Sequence, residues 1–253
     1  VGSTANCSSS MIALNTIIAK QLQLFKVSVD ARIVSGEKKD EAILKELQKL
    51  IIESKNIRFE GNGYGYEWVK EAKKRGLSNF KNTPRALAAM VNKKTIALFE
   101  EMNVLSSVEL HARHEIELEN YVMKLQIEAR ILGDISYNYV IPAAIKYQKL
   151  LVENVEGIMD IMRDDADTYT ETQMDMIKEI SKRFSAIKKN VEDMITARKK
   201  ANKIEDLEKR AETYCDKVKP FFDKIKYDTD KLEMLVADEY WPLPKLREML
   251  FAN

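Results

Sequence analysis

Apolar residues recur at intervals of three and four along most of this chain. The longest such pattern starts at Ser106, where Leu110, His114, Leu118, Tyr121, Leu125 and Leu132 fall on one stripe. Ser106 with Glu109 three residues on forms a capping box, which predicts a helix over about Val108–Gly157. Gly133 and Pro142 are its points of kinking or interruption. Thr168 with Glu171 offers a second capping box, followed by Ile177, Ile180, Phe184, Ile187, Val191 and Met194. The same rhythm returns at Ile204, Leu207, Ala211, Tyr214, Val218, Phe221 and Ile225, with Pro220 expected to bend the helix or mark its end. Seams sustained this long belong to paired helices, and thirty residues of helix reach roughly 45 Å. The predicted fold is all-α: an elongated bundle of long helices with a coiled-coil-like hairpin and a Gly-rich loop.

The first third has a shorter rhythm. Leu14, Ile17, Ile18, Leu22 and Phe25 predict an amphipathic helix capped by Ser9 or Ser10 and running to about Gly36. "KKDEAILKELQKLIIESK" then begins another, with Ile43, Leu44, Leu47, Leu50 and Ile51 on one face, so the two should form a helical hairpin. Gly61, Gly63 and Gly65 mark an irregular loop with aromatic anchors, ending in a short helix that starts at Trp68, Val69 and Ala72. Thr83 and Pro84 have the N-cap and N1 chemistry of a further helix. At the far end Pro242 and Pro244 bracket Leu243, which predicts a turn that docks Trp241, Leu243, Leu246, Leu250 and Phe251 onto a neighbour.

Composition agrees with the helical reading. Only eight glycines and five prolines interrupt 253 residues, of which 45% are apolar and 32% charged. Forty-one Lys and Arg face forty Asp and Glu, so no bulk attraction to nucleic acid or an anionic membrane is implied. No apolar run approaches the ~18 residues that a membrane span needs. Cys7 and Cys215 are far apart and have no metal-binding spacing, which fits two reduced thiols and a cytoplasmic protein.

Candidate chemistry is sparse. Both histidines lie in "ELHARHEIELENY" at Glu109–Tyr121, where His111, His114 and Glu115 occupy i, i+3 and i+4 on one helix face. A carboxylate-bridged metal bundle needs Glu-x-x-His on two helices, and a zincin needs HExxH; neither is present. His114 falls on the seam between Leu110 and Leu118, which favours a half-buried histidine bonded to a carboxylate. The Gly61–Gly65 stretch lacks the spacing of either GxGxxG or GxxxxGK[ST]. The basic run Ala197–Lys203 reads as a solvated helix end, and the methionines at 159, 162, 174, 176, 194 and 234 as core filler. No catalytic, metal-binding or nucleotide-binding residue is assigned.

Three stretches together carry a resemblance. "VGSTANCSSSMIALNTIIAKQL", "IRFEGNGYGYEWVKEAKKRGLSNFKNTPRAL" and "DEYWPLPKLREMLF" are similar to the C-terminal region of type III glutamine synthetases, with "EARILGD" and "IPAAIKYQ" in the expected order between them. The resemblance implies that residues 1–35 are a remnant of the catalytic domain. It also implies a helical C-terminal domain at 36–253, with small helices at 37–105, long helices at 106–238 and a docking tail at 239–253. The parent enzyme would condense glutamate and ammonia with ATP and Mg²⁺ or Mn²⁺, on residues preceding Val1, within a ring-shaped homo-oligomer. One departure is Cys7, where that family pattern has proline after asparagine. The implied role is structural, with the chain alone inactive. A free-standing helical coiled-coil scaffold is the alternative that the residues themselves leave open.

Overall fold

The computed structural model describes residues 6–250. Among these no strand occurs; the chain is a succession of helices, divided at residue 115 into two compact units. The first unit opens with α1 (Ser8–Val34) and α2 (Lys39–Glu53), which pack together as the predicted hairpin. Gly36, at φ +99°, closes α1 in the left-handed conformation that only glycine adopts without strain. Three short helices follow: α3 (Tyr66–Lys74), α4 (Thr83–Leu87) and α5 (Lys93–Glu101). Asn82 and Asn92 cap α4 and α5 by accepting from the amides of Arg85 and Thr95.

The apolar face of α1 differs from expectation. Leu14, Ile17, Ile18 and Leu22 lie on it as read, yet each is at least half exposed, and the buried positions are Thr16 and Val29. On α2 the inward positions are Ala42 and Glu46, while Leu44, Leu47, Ile51 and Ile52 face outward. Ala42, fully buried, lets the helices approach, and Glu46 pairs with Arg32 at 3.2 Å. Burial works to raise the Glu46 pKa, but the hydrogen bond from Arg32 and the charge of Lys49 outweigh it and hold the carboxyl below its ordinary range.

The helix α6 (Ser107–Ile135) belongs to the first unit up to Glu115 and to the second from Ile116. Its capping box is present: Ser106 donates its amide to Glu109 at 2.8 Å, and the Glu109 amide donates back to Ser106 Oγ at 3.3 Å. In the second unit the rod continues as a π-turn at Ser136–Val140 and α7 (Ile141–Met162). The chain reverses at Arg163, whose φ of +49° is uncommon for a residue with a side chain, and returns as α8 (Ala166–Ala201). Asp165, not Thr168, occupies the N-cap of α8, three residues before the expected box. A third rod is formed by α9 (Leu207–Thr213), a π-turn at Tyr214–Val218 and α10 (Pro220–Leu235).

Both π-turns precede a proline. Ile141 donates to Ser136 O and Lys219 to Tyr214 O, five residues back in each case, immediately before Pro142 and Pro220. A proline within an α-helix leaves the carbonyl four residues back without a donor and strikes it with its ring; a turn one residue wider moves that carbonyl aside. The rods therefore continue through Pro142 and Pro220, which the sequence marks as points of kinking or ending.

These rods form an antiparallel bundle centred on α8. Gln148 Nε2 reaches the Ile177 carbonyl and Ser181 Oγ, while a Cβ on Gly133 would lie 3.6 Å from Val191, so the first rod and α8 run in opposite directions. Arg183 pairs with Asp228 at 2.8 Å and Tyr214 Oη donates to Asn202 Oδ1, which sets α8 and the third rod antiparallel as well. Ile180, Ile187, Val191 and Met194 are completely buried, as are Tyr214, Val218 and Ile225 facing them on the third rod. The tail (239–250) docks through Trp241, which is buried, and Tyr240, whose ring lies 5.8 Å from that of Tyr147. Leu250 is exposed, against expectation, and Phe251 lies outside the described residues. A four-residue helix, α11 (Leu246–Met249), ends the described chain.

Replacing Ile187 by alanine should destabilise the second unit by roughly 2–5 kcal/mol, and by valine roughly 0.5–1.5 kcal/mol, in a denaturant titration followed by circular dichroism. The Glu46–Arg32 pair contributes stability above the ordinary glutamate pKa. That stability is lost as pH falls through the lowered value, so Glu46→Gln should flatten the acid limb of a pH–stability curve.

Candidate functional site

The two histidines do not converge. His111 is exposed, and its Nδ1 donates to the Ser107 carbonyl at 2.8 Å, tying the ring to the preceding turn of its own helix. His114 is 7% exposed, and its buried Nε2 has no protein hydrogen-bond partner. The carboxylate that its seam position suggested is not bonded to it, because Glu115 and Glu117 both face outward from α6. His114 thus packs as a flat, largely apolar ring between Leu110 and Leu118. Among the described residues no group of three His, Cys, Asp or Glu side chains is placed to hold a metal ion.

The glycine loop is a different kind of structure from a phosphate cradle. The amides of Tyr64 and Gly65 donate to Asn62, the first to its side-chain oxygen at 3.0 Å and the second to its carbonyl at 3.0 Å. They are engaged inside the loop. Gly61 is required by close approach: a Cβ there would come 2.4 Å from the Phe59 ring. Phe59 in turn stacks on Trp68 with ring centroids 4.4 Å apart. Arg75 lies over both rings, donates to Glu71 at 2.6 Å, and donates to the Arg58 carbonyl at 2.8 Å. Arg75 holds the Glu71 carboxyl below its ordinary pKa through that hydrogen bond. The sequence marked the glycines, but nothing in their spacing identified Arg75 as the clasp at the loop's base. The cue available was an arginine four residues after a glutamate on a short helix.

The feature with most bearing on function is apolar surface. Besides the outward residues of α1 and α2, a cavity of about 380 Å³ opens in the first unit, lined by Ile12, Ile17, Met90, Leu98, Phe99 and Leu110. Ser9 and Ser10 of α1, with Thr95 and Arg113, are its polar lining residues. Single exposed leucines are ordinary, but soluble proteins rarely leave contiguous apolar patches beyond a few hundred Å² uncovered. Such a surface can bind by burial of apolar groups. Cys7 is exposed on the same segment, and Cys215 lies in the second unit beside Tyr121, whose phenol is pushed up by burial and by its hydrogen bond with that thiol.

Comparison with known proteins gives a consistent result. Residues 42–159 match the family model described as the glutamine synthetase C-terminal domain. A glutamine synthetase from Bacteroides fragilis is 44% identical over 253 residues, all of this chain and 35% of its own length. A type-3 glutamine synthetase from Dictyostelium discoideum is 31% identical over 252 residues, covering 99% of this chain and 34% of its own. A glutamine synthetase from Butyrivibrio fibrisolvens is 26% identical over 234 residues, 92% of this chain and 33% of its own. The chain therefore spans about a third of the length of these relatives.

Substituting His114 by leucine removes a buried nitrogen without a protein partner and should leave the unfolding midpoint unchanged or raise it. His111→Ala together with His114→Ala should not alter Mn²⁺ or Fe²⁺ retention in equilibrium dialysis. A drop in bound metal would restore the ligand reading.

Proposed function

This chain belongs to the glutamine synthetase family, as the C-terminal region of a type III member, and from that premise we propose that it is the enzyme's structural and oligomerisation region. The whole enzyme would condense glutamate and ammonia with ATP in the cytoplasm. The observation that carries this reading is the uncovered apolar face of α1 and α2. That face is what a segment made to pack against a larger body looks like.

On this reading residues 1–35 are the end of the catalytic domain, and Leu14, Ile17, Ile18 and Leu22 pack on the remainder of it. Residues 36–253 then form the helical extension, with 37–105 as small helices, 106–238 as long ones and 239–253 as the tail. The described residues do not fit ATP or a divalent cation: the glycine loop has closed on Asn62, and the histidines lie apart in role. On this reading Mg²⁺ or Mn²⁺ and nucleotide would be bound by residues elsewhere in the whole polypeptide, and this chain's part would be to hold subunits in a ring-shaped homo-oligomer. Neither nucleic acid nor membrane is a partner in this reading, and no helix among the described residues is long and apolar enough to cross a bilayer.

The isolated chain should form no glutamine from glutamate, ammonia and ATP with either metal; metal-dependent product from it would overturn the proposal. In the whole polypeptide, Ile18→Asp with Leu22→Asp should lower soluble yield and glutamine formation together. Unchanged activity in that variant would show that the α1 face packs on nothing essential.

A further inference from the structure

The loop at Gly61–Gly65 presents aromatic rings where a surface loop would ordinarily present polar side chains. Tyr64 is fully exposed at 102% and Tyr66 at 73%, although the loop beneath them is fixed by the Phe59–Trp68 stack and by Arg75. Tyr66 begins α3, and Lys70 and Lys73 follow it at i+4 and i+7 on the same helix face, with Lys74 beside them. Lys70 Nζ lies 4.9 Å from the centre of the Tyr66 ring. Lys70, Lys73 and Lys74 are exposed, and among the described residues none of the three is paired with a carboxylate. A rigid base, two exposed tyrosines and three unpaired cations make a surface suited to an acidic partner with apolar side chains.

The second unit carries a surface of that description. At the α7–α8 reversal Asp160, Asp164, Asp165 and Asp167 are all exposed and unpaired among the described residues. Between and beside them Ile161 is 78% exposed, Met162 46% and Tyr169 56%. Methionine adapts to aromatic rings and favours contact with them. The reversal is rigidly supported, since Ala166 and Thr170 are buried and Thr170 Oγ1 donates to the Ala166 carbonyl at 2.9 Å.

We propose that the Tyr64–Tyr66 loop and the lysine face of α3 dock onto the acidic α7–α8 turn of a second copy of this chain. The inference rests on the homo-oligomeric reading and deepens it by naming the two surfaces that meet. The charge complement selects the second copy: Lys70, Lys73 and Lys74 outnumber the exposed Glu67 on one patch, Asp160, Asp164, Asp165 and Asp167 outnumber the exposed Arg163 on the other, and large apolar side chains flank both. The lysines steer and register the contact, and burial of Tyr64 against Ile161 and Met162 supplies its holding energy.

The test uses the whole polypeptide that carries this chain, with particle mass measured by mass photometry. K70E/K73E/K74E and D164K/D165K/D167K should each lower the assembled fraction about tenfold at low salt, and combining them should restore it. Circular dichroism of each variant should match the parent, since every substituted residue is exposed. A photoreactive phenylalanine analogue at Tyr64 should cross-link to residues 160–169 of another copy in assemblies of mixed isotopic label. If the parent is assembled and the charge variants assemble equally well, or the cross-link joins Tyr64 to its own polypeptide, this contact is wrong while the oligomeric reading stands. A monomeric parent overturns both.

Discussion

The bundle depends on one helix having two partners. α8 offers Ile180, Ile187, Val191 and Met194 as a seam without solvent exposure, flanked on one side by the first rod and on the other by the third. The first rod meets α8 at Gly133 and Gln148 and the third at Tyr214 and Asp228, whereas Leu110, near the start of α6, lines the cavity of the first unit. Polar ties then fix the register along the seam. Gln148 bridges to Ile177 and Ser181, Arg183 to Glu179 and Asp228, and Tyr214 to Asn202. Burial drives the pairing, and these few directional bonds select one sliding position among several that burial alone would allow.

That architecture was legible in the residues because a seam repeats. The spacing marks Leu110, Leu118 and Leu125 on the first rod, Ile180, Ile187, Val191 and Met194 on α8, and Ala211, Tyr214, Val218 and Ile225 on the third, and these are buried, while Ile177, Phe184 and Phe221 of the same patterns are half-buried. Errors arose where spacing gives no information about the partner. For α1 the periodicity located the apolar face correctly but could not say that the hairpin pairs through Thr16, Ala42 and Glu46 and leaves its leucines outward. The same limit applies to His114: its seam position predicted burial, which holds, and a carboxylate bond, which depends on a neighbouring helix that the sequence does not specify. Helix starts at Asn82 and Asp165 were missed by one to three residues because competing polar residues stood nearby.

Both units leave large apolar side chains outward. The second buries a three-rod seam yet exposes Ile116, Met123, Ile127, Ile131, Ile161 and Met234. The first buries Val29, Phe99 and Leu110, but pairs α1 with α2 through Thr16, Ala42 and Glu46 and leaves the leucines of those helices outward. Under the proposed oligomerisation role, burial of such surfaces would be linked to assembly by mass action. Residues 42–159 match the glutamine synthetase C-terminal domain, and the proposed packing role gives these outward side chains a use.

The two π-turns bear on how such rods change over time. Each holds one residue more than an α-turn would, and beyond it the seam resumes in phase, at Ala143 and Ala144 after the first and at Ile225 after the second. A long paired helix is normally intolerant of single-residue insertions, because every position downstream would rotate by about 100° and turn its apolar face to water. A turn that widens locally contains that rotation within five residues. The stretches Ser136–Val140 and Tyr214–Val218 are thus the places where the length of these rods can drift by one residue while the contacts at both ends stay in place.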